Sequence, residues 1–383
     1  PLVISGTATP YNADSPEYVV VQVNGQTYNA LVLPGGTWSV TLPAGALNGM
    51  PDGPASLTVI ATDAAGNTSS TKGSFTLDAS PANAPQITLN AVAGDNFVNA
   101  GEIADPLQIG GTVQNAEVGR PIVVELNGKT YNTTVQAGGL WSITVPVDDL
   151  AAMPDGVRQV KVTVTDVAGN TDDATRNITF ITKPASLPTL SIDNVAVDNV
   201  INAAEKGAPL TITGISTNLP AGTLVSVFLN DKTYPATIGA DGKWSITVPQ
   251  GDVAGLNLSN YNVVATASDA AGNPANDVQP IVIDLTGPVV DVNTSTGFLQ
   301  DGNISIGELA SDQVLSGTTT PGSTVVLVIN GKEIPALVND QGEWSVTIPA
   351  ADLQALPQGE SDLTVRVTDP QGNITNEPVP VNV

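Results

Sequence analysis

An all-β chain of tandem Greek-key β-sandwiches is the fold this sequence predicts, and three observations carry it. Trp38, Trp141, Trp244 and Trp344 each stand in a Trp-Ser-(Val/Ile)-Thr-(Leu/Val/Ile)-Pro run, 103, 103 and 100 residues apart. Asp63, Asp166, Asp269 and Asp369 open Asp-x-x-Gly-Asn loops at those same spacings. Between these landmarks apolar and polar residues alternate, as at Ile122, Val124 and Leu126 or Val160, Val162 and Val164. Period two is the mark of half-buried antiparallel strands. A repeat this long exceeds solenoid and propeller units, so each copy is a domain with its own core. About seven strands per complete copy, separated by turn signals, make that domain immunoglobulin-like.

The repeats fall at 1–79, 80–184, 185–286 and 287–383, divided by short proline-bearing links at 78–85, 182–188 and 284–288. Proline fixes φ and removes a donor, so such links are stiffer than Gly/Ser tethers and favour an elongated rod. Within each repeat a two-residue turn joins a pair of strands: Asn24-Gly25, Asn127-Gly128, Asn230-Asp231 and Asn330-Gly331. These residues accept the positive φ of a type I′ hairpin. In the following strand, Trp141, Ile143 and Val145 share one face, so each Trp is read as core. A short helical turn is expected over 148–153, with counterparts after Pro43, Pro249 and Pro349. The first repeat is shorter, because Pro1-Leu-Val-Ile-Ser-Gly aligns with Pro106-Leu-Gln-Ile-Gly-Gly; the chain reads as an excerpt of something longer.

Thirty-seven acidic residues face twelve basic ones, a net charge of −25. That balance disfavours nucleic acid and anionic membrane surfaces and favours a cation as counterpart. Cysteine and histidine are absent, which excludes disulfides, thiolate zinc sites and imidazole bases. An enzyme is not expected. No run of about 18 apolar residues is present to span a bilayer as a helix.

One oxygen-rich pattern repeats: Asp95-Asn-Phe-Val-Asn-Ala-Gly-Glu102, Asp198-Asn-Val-Ile-Asn-Ala-Ala-Glu205 and Asp301-Gly-Asn-Ile-Ser-Ile-Gly-Glu308. It matches the back half of an EF-hand loop, in which a bidentate Glu closes the site. The front half is missing, since of Ala91 and Ala93, Asn194 and Ala196, Gly297 and Leu299, which stand where the first oxygens would be, only Asn194 offers a side-chain oxygen. The alternative is a polar Asx turn between two strands. Strand directions place this half-loop at the C-terminal pole of its sandwich and the Asp-x-x-Gly-Asn loop at the N-terminal pole. Each joint therefore gathers three acidic pieces that together approach the six to eight oxygens Ca²⁺ takes. The candidate ligands are Asp95, Asn96, Asn99, Glu102, Asp198, Asn199, Asn202, Glu205, Asp301, Asn303 and Glu308, with linker Asp78 and Asp284. Asp166, Asn170, Asp269, Asn273, Asp369 and Asn373 complete the set from the opposing loops. Those loops read equally as turns whose Asp caps backbone amides. Ligand count ranks the joint between repeats three and four first.

Taken together, the Asp-Asn-x-Ile-Asn-x-x-Glu run, the Asn-Gly-Lys-Thr-Tyr hairpin, the Trp-Ser-(Val/Ile)-Thr strand and the Thr-Asp-x-Ala-Gly-Asn loop resemble bacterial Ig-like repeats of giant adhesins, the Bap-like and SiiE-like proteins. The resemblance covers the whole chain. It implies an extracellular stalk at the surface of a Gram-negative bacterium, exported by type I secretion, stiffened by Ca²⁺ at the joints, and serving adhesion or biofilm formation. Its partners are then neighbouring repeats and, in some members, host or bacterial surface glycans or proteins. Two departures stand out: repeat one lacks its half-loop, and the link at 182–188 carries Lys183 and no carboxylate. The competing reading is an Ig-like module that itself contacts a glycan or protein.

Overall fold

The computed structural model describes residues 2–9 and 18–383, so the alignment of Pro1 lies outside the described residues. The chain divides into two compact units, Pro1–Thr182 and Lys183–Val383. In unit one, Leu2–Thr7 pairs with Thr37–Leu42, and a second sheet runs Gln26–Leu31, Tyr18–Val23, Gly53–Thr62, Thr68–Leu77. Next come a sheet ordered Lys129–Thr134, Pro121–Leu126, Gly156–Thr165, Thr171–Ile181, Phe97–Asn99 and a facing one of Leu140–Val145, Leu107–Gln114, Gln86–Ile87. Unit two repeats this plan twice. Its first pair of sheets is Thr189–Ile192, Leu210–Thr217, Lys243–Val248 against Val200–Ile201, Pro274–Ile283, Asn260–Ser268, Leu224–Leu229, Lys232–Thr237. In the second pair, Val290–Val292, Gln313–Thr319, Glu343–Ile348 and Leu337–Val338 oppose Lys332–Pro335, Thr324–Ile329, Glu360–Thr368 and Ile374–Asn382. These are immunoglobulin-like sandwiches.

Strand count is where the sequence reading falls short by one. In the second and third repeats the half-loop itself forms a short strand, and it pairs parallel to the last strand of its sandwich: Phe97–Asn99 with Thr179–Ile181, and Val200–Ile201 with Val282–Ile283. Two or three residues carry no visible alternation, so periodicity cannot find them. The hairpins are type I′ as expected, with positive φ at both central residues, for example Asn127 at 50° and Gly128 at 75°. Short helices follow Pro146, Pro249 and Pro349, whereas the segment after Pro43 stays a turn.

The four Trp are buried at 2–6% exposure, each inside a separate cluster of Val, Ile and Leu. What lets so large a ring sit under a sheet is a glycine on the neighbouring strand. Gly6 pairs with Trp38, Gly111 with Trp141, Gly214 with Trp244 and Gly317 with Trp344. A Cβ at Gly214 would lie 2.3 Å from the Trp244 ring and 2.0 Å from the Ser191 carbonyl oxygen.

In the second, third and fourth repeats a polar latch ties the hairpin to the short helix. Lys129 and Tyr131 both reach Asp149, and Lys232 and Tyr234 both reach Asp252. The lysine hydrogen bond, then the tyrosine one, holds each Asp below the usual carboxylate range. Burial and the anionic partner push both phenols up to about 12. In the last repeat Lys332 bonds both oxygens of Asp352, and Ile334 replaces the tyrosine.

Val197 is the strained point. It holds φ at 76°, where a β-branched side chain is a clear outlier; the matching position of the second repeat is Gly94, at 89°. Its side chain is 86% exposed, so nothing is lost by removing it. Val197→Gly is expected to raise the urea midpoint of this repeat by an amount equivalent to about 1 kcal/mol, the strain relieved less the entropy glycine adds. A lowered midpoint would mean that the loop tolerates the valine without strain.

Candidate metal centres at the repeat joints

The three half-loops share one local construction, a reciprocal side-chain-to-backbone pair, and in two of them it caps a helix. Asn202 Oδ1 accepts from the Glu205 amide while Glu205 Oε2 accepts from the Asn202 amide, at 2.9 and 3.1 Å. Ser305 and Glu308 do the same, as a capping box over a four-residue helix. Asn99 and Glu102 make the equivalent pair at 2.9 Å each way. The closing Glu, read from sequence as a bidentate ligand, thus gives one oxygen to a backbone N–H that would otherwise be orphaned. The opening Asp is an Asx turn: Asp95, Asp198 and Asp301 accept from the amides of Phe97, Val200 and Asn303. Asn96 and Asn199 sit at positive φ and fold back onto the amides of Val92 and Val195. Asn303 accepts from the Asn382 side chain.

The Asp-x-x-Gly-Asn loops are built on the same principle. Asp166, Asp269 and Asp369 each accept from the amide of the Asn four residues on, and their second oxygen takes that Asn's side-chain N–H. Burial alone would push the Asp166 carboxyl up; the hydrogen bonds from Asn170, Ala168 and Gly169 outweigh it and hold the group below its ordinary range.

In unit two the structure brings four candidates together. Asn373, only 2% exposed, donates to the Asp284 carbonyl at 3.1 Å and to Asp369 Oδ2, and accepts from the Ala203 amide at 2.9 Å. Asn202 donates to the Gln371 carbonyl at 2.8 Å. Half-loop, link and opposing loop are thereby sewn directly by two asparagine amides. The side chains of Asp198 and Asn199 bond only within their own loop. Glu205 and Asp284 each use one carboxylate oxygen, on the amides of Asn202 and Thr286.

The link at 78–84 of unit one has a different balance. Asn170 donates to the Asp78 carbonyl at 3.2 Å, but Asp78 Oδ1 is buried without a partner. Burial, then the negative charges of Asp166, Asp52 and Glu117, push the Asp78 carboxyl up. An orphaned anionic oxygen among anions is the chemistry an oxygen-seeking cation satisfies. Arg120 does not relieve it, since its guanidinium donates to the carbonyl oxygens of Thr165 and Asp166. The carboxylates are close enough to repel, yet among the described residues no three acidic side chains converge tightly enough to grip an ion alone. Backbone or water oxygens would have to complete a shell. Ligand counting favoured the joint of unit two; among the described residues the buried carboxylate oxygen without a partner is in unit one.

Sequence reasoning missed Asp52 and Glu117. Asp52 holds the link, accepting from the amides of Ala79 and Ser80 and from Asn83. Its counterpart Asp155 accepts from the Thr182 amide and hydroxyl. The signal was present as a repeated Pro-Asp-Gly, at 51–53 and 154–156. Asn115 grips the other side of the same link, at the carbonyls of Ala82 and Ala84, and Asn218 does so at Ala185 and Leu187.

The profile of the bacterial Ig-like domain matches residues 5–79 and 83–182. A solved structure described as a Ca²⁺-stabilised adhesin that helps an Antarctic bacterium bind ice is 34% identical, over 99% of this chain and 92% of that one, with a TM-score of 0.38. A second, from a 1.5-MDa bacterial ice-binding adhesin, is 30% identical over 78% of this chain and 96% of its own, with a TM-score of 0.40. A tetra-tandem repeat from the extending region of a large adhesion protein is 24% identical, over 99% and 94%, with a TM-score of 0.32. No curated protein matches the chain. Shared sequence, not global superposition, carries the relationship: by the matching profile and by identity along nearly its whole length, this chain belongs to the family of bacterial Ig-like domains.

Proposed function

We propose that the chain is a stalk segment of a large bacterial cell-surface adhesin, extracellular, divided into four Ig-like repeats at 1–79, 80–184, 185–286 and 287–383, and stiffened by Ca²⁺ at its joints. The observation that carries the calcium reading is the buried, unpartnered Asp78 Oδ1 among Asp166, Asp52 and Glu117. The adhesin reading is supported by the sequence shared with two ice-binding adhesins. Bound calcium supplies the missing positive charge and a shared set of oxygen bonds. In unit one Asp78 and Asp166 would hold it, with Asp52 and Glu117 alongside; in unit two Asp284, Asp369 and Glu205 would. The chain's own part is to fix the carboxylates around Asp78, and those of unit two, with backbone amides before any ion arrives, so that little ordering remains to be done on binding. Export by type I secretion, a Gram-negative host and a role in biofilm belong to the same proposal.

Extracellular calcium modules bind with Kd of about 10⁻⁴–10⁻³ M, so about 10 mM calcium should stabilise each loaded site by about 1.4–2.7 kcal/mol. Melting curves in calcium and in EDTA should separate by several degrees. Asp78→Asn should abolish the part of the shift due to unit one. Superimposed curves would sink the calcium reading. A repeat that itself recognises glycans has no exposed Trp to offer, because all four are core.

A further inference from the structure

Four Asn-Gly pairs occur in the chain, at Asn24-Gly25, Asn48-Gly49, Asn127-Gly128 and Asn330-Gly331, and their side-chain amides are treated differently. Asn24 donates to the carbonyls of Ala46 and Asn48 at 3.1 and 3.0 Å. Asn330 donates to the Ala355 carbonyl at 2.9 Å. Asn127 has the same hairpin, the same positive φ and an exposed position, but among the described residues no hydrogen bond engages its amide. Gly128 is equally open, with nothing within 4 Å of where a Cβ would stand. Asn48 is a mixed case: its amide makes no hydrogen bond, but its peptide carbonyl is held by Asn24, which restrains the peptide whose nitrogen must turn.

We propose that Asn127 is a self-modification site, a place where the folded chain deamidates and isomerises without an enzyme. The Gly128 nitrogen, losing its proton to hydroxide, attacks Asn127 Cγ; the Cγ–N bond breaks and ammonia leaves, closing a five-membered succinimide. Water then opens the ring at either carbonyl, giving aspartate or isoaspartate, with one oxygen gained for one NH lost. Glycine is the successor that allows this, having no side chain to crowd the attack. Asn230 has an unengaged amide too, but is followed by Asp231, whose side chain blocks the approach and whose charge opposes loss of the amide proton. The product adds a negative charge at the turn. In the isoaspartate form it also threads one extra methylene through a two-residue loop. Leu126 then no longer faces Lys129 in register, and the reach of Lys129 and Tyr131 to Asp149 is disturbed.

The test is to hold the full chain at 37 °C and pH 8.5, with a pH 6 control and a parallel arm in urea, and to map all four Asn-Gly peptides by mass spectrometry with an isoaspartate-specific methyltransferase. In the folded chain Asn127 should gain its extra dalton roughly tenfold faster than Asn24 and Asn330, whose amides must first break hydrogen bonds. In urea the sites should converge. Equal rates in the folded chain would overturn the assignment. So would a ranking unchanged by urea, because flanking sequence and not the fold would then set it.

Discussion

Gly214→Ala should unfold the repeat that contains it. The added Cβ has no direction in which to relax: it would meet the Ser191 carbonyl at 2.0 Å and the Trp244 ring at 2.3 Å, and both are fixed by strand pairing. Overpacking a well-filled core costs about 1–3 kcal/mol and more where backbone must move, a large share of the few kcal/mol that hold a single domain. Trp244→Ala should cost a comparable amount, about 3–5 kcal/mol, by the opposite route of an empty core. The informative result is the double variant. If glycine exists to seat the indole, Gly214→Ala should cost less once Trp244 is already alanine, because only the carbonyl contact remains. Additive losses in chemical denaturation would show that the ring is not what requires the glycine.

Asn373→Ala should loosen the joint of unit two even in saturating calcium. Removing the side chain leaves the Ala203 amide and the Asp284 carbonyl without the partners they now have at 2.9 and 3.1 Å. Each buried orphan costs about 1–3 kcal/mol unless water reaches it. Asn373→Asp is the sharper variant, since it keeps an acceptor for Ala203 and deletes the donor to Asp284. Small-angle scattering of residues 183–383 in calcium and in EDTA reads the outcome. A chain that stays equally stiff in calcium with alanine at 373 would assign the rigidity to the ion. One that bends in both buffers would assign it to the amides.

The repeat, the sandwich and the Trp cores were legible because they rest on periodicity and on landmarks that recur four times. The half-loops were legible as turns with side-chain oxygens, but not as capping boxes. Asn202-x-x-Glu205 spells that motif, yet the aliphatic residues beside it drew attention to strand and ligand spacing instead. Gly214 was invisible for another reason: the contact that demands it lies across the sheet, and nothing local to Gly214 announces Trp244. Asp52 escaped because a Pro-Asp-Gly turn looks complete in itself, whereas its carboxylate works on residues more than 25 positions away. For Gly214 and Asp52 the decisive partner is distant in sequence.

The short parallel strands at the half-loops bear on how this chain takes a pull. In the second repeat, tension on the ends would first peel Gln86–Ile87 from its neighbour, a pairing of two residues. Load would then arrive at Phe97–Asn99, which runs beside and in the same direction as Thr179–Ile181. Two parallel strands tugged from opposite ends slide past each other, so their hydrogen bonds, including that from the Thr179 amide to the Asn96 carbonyl at 2.9 Å, must fail together and not one by one. The third repeat has the same arrangement, with the amides of Val282 and Asp284 bound to the carbonyls of Asn199 and Ile201, and the fourth keeps a single parallel bridge between Asn303 and Asn382. A fold whose last-loaded bonds share the force is suited to bearing tension along its length.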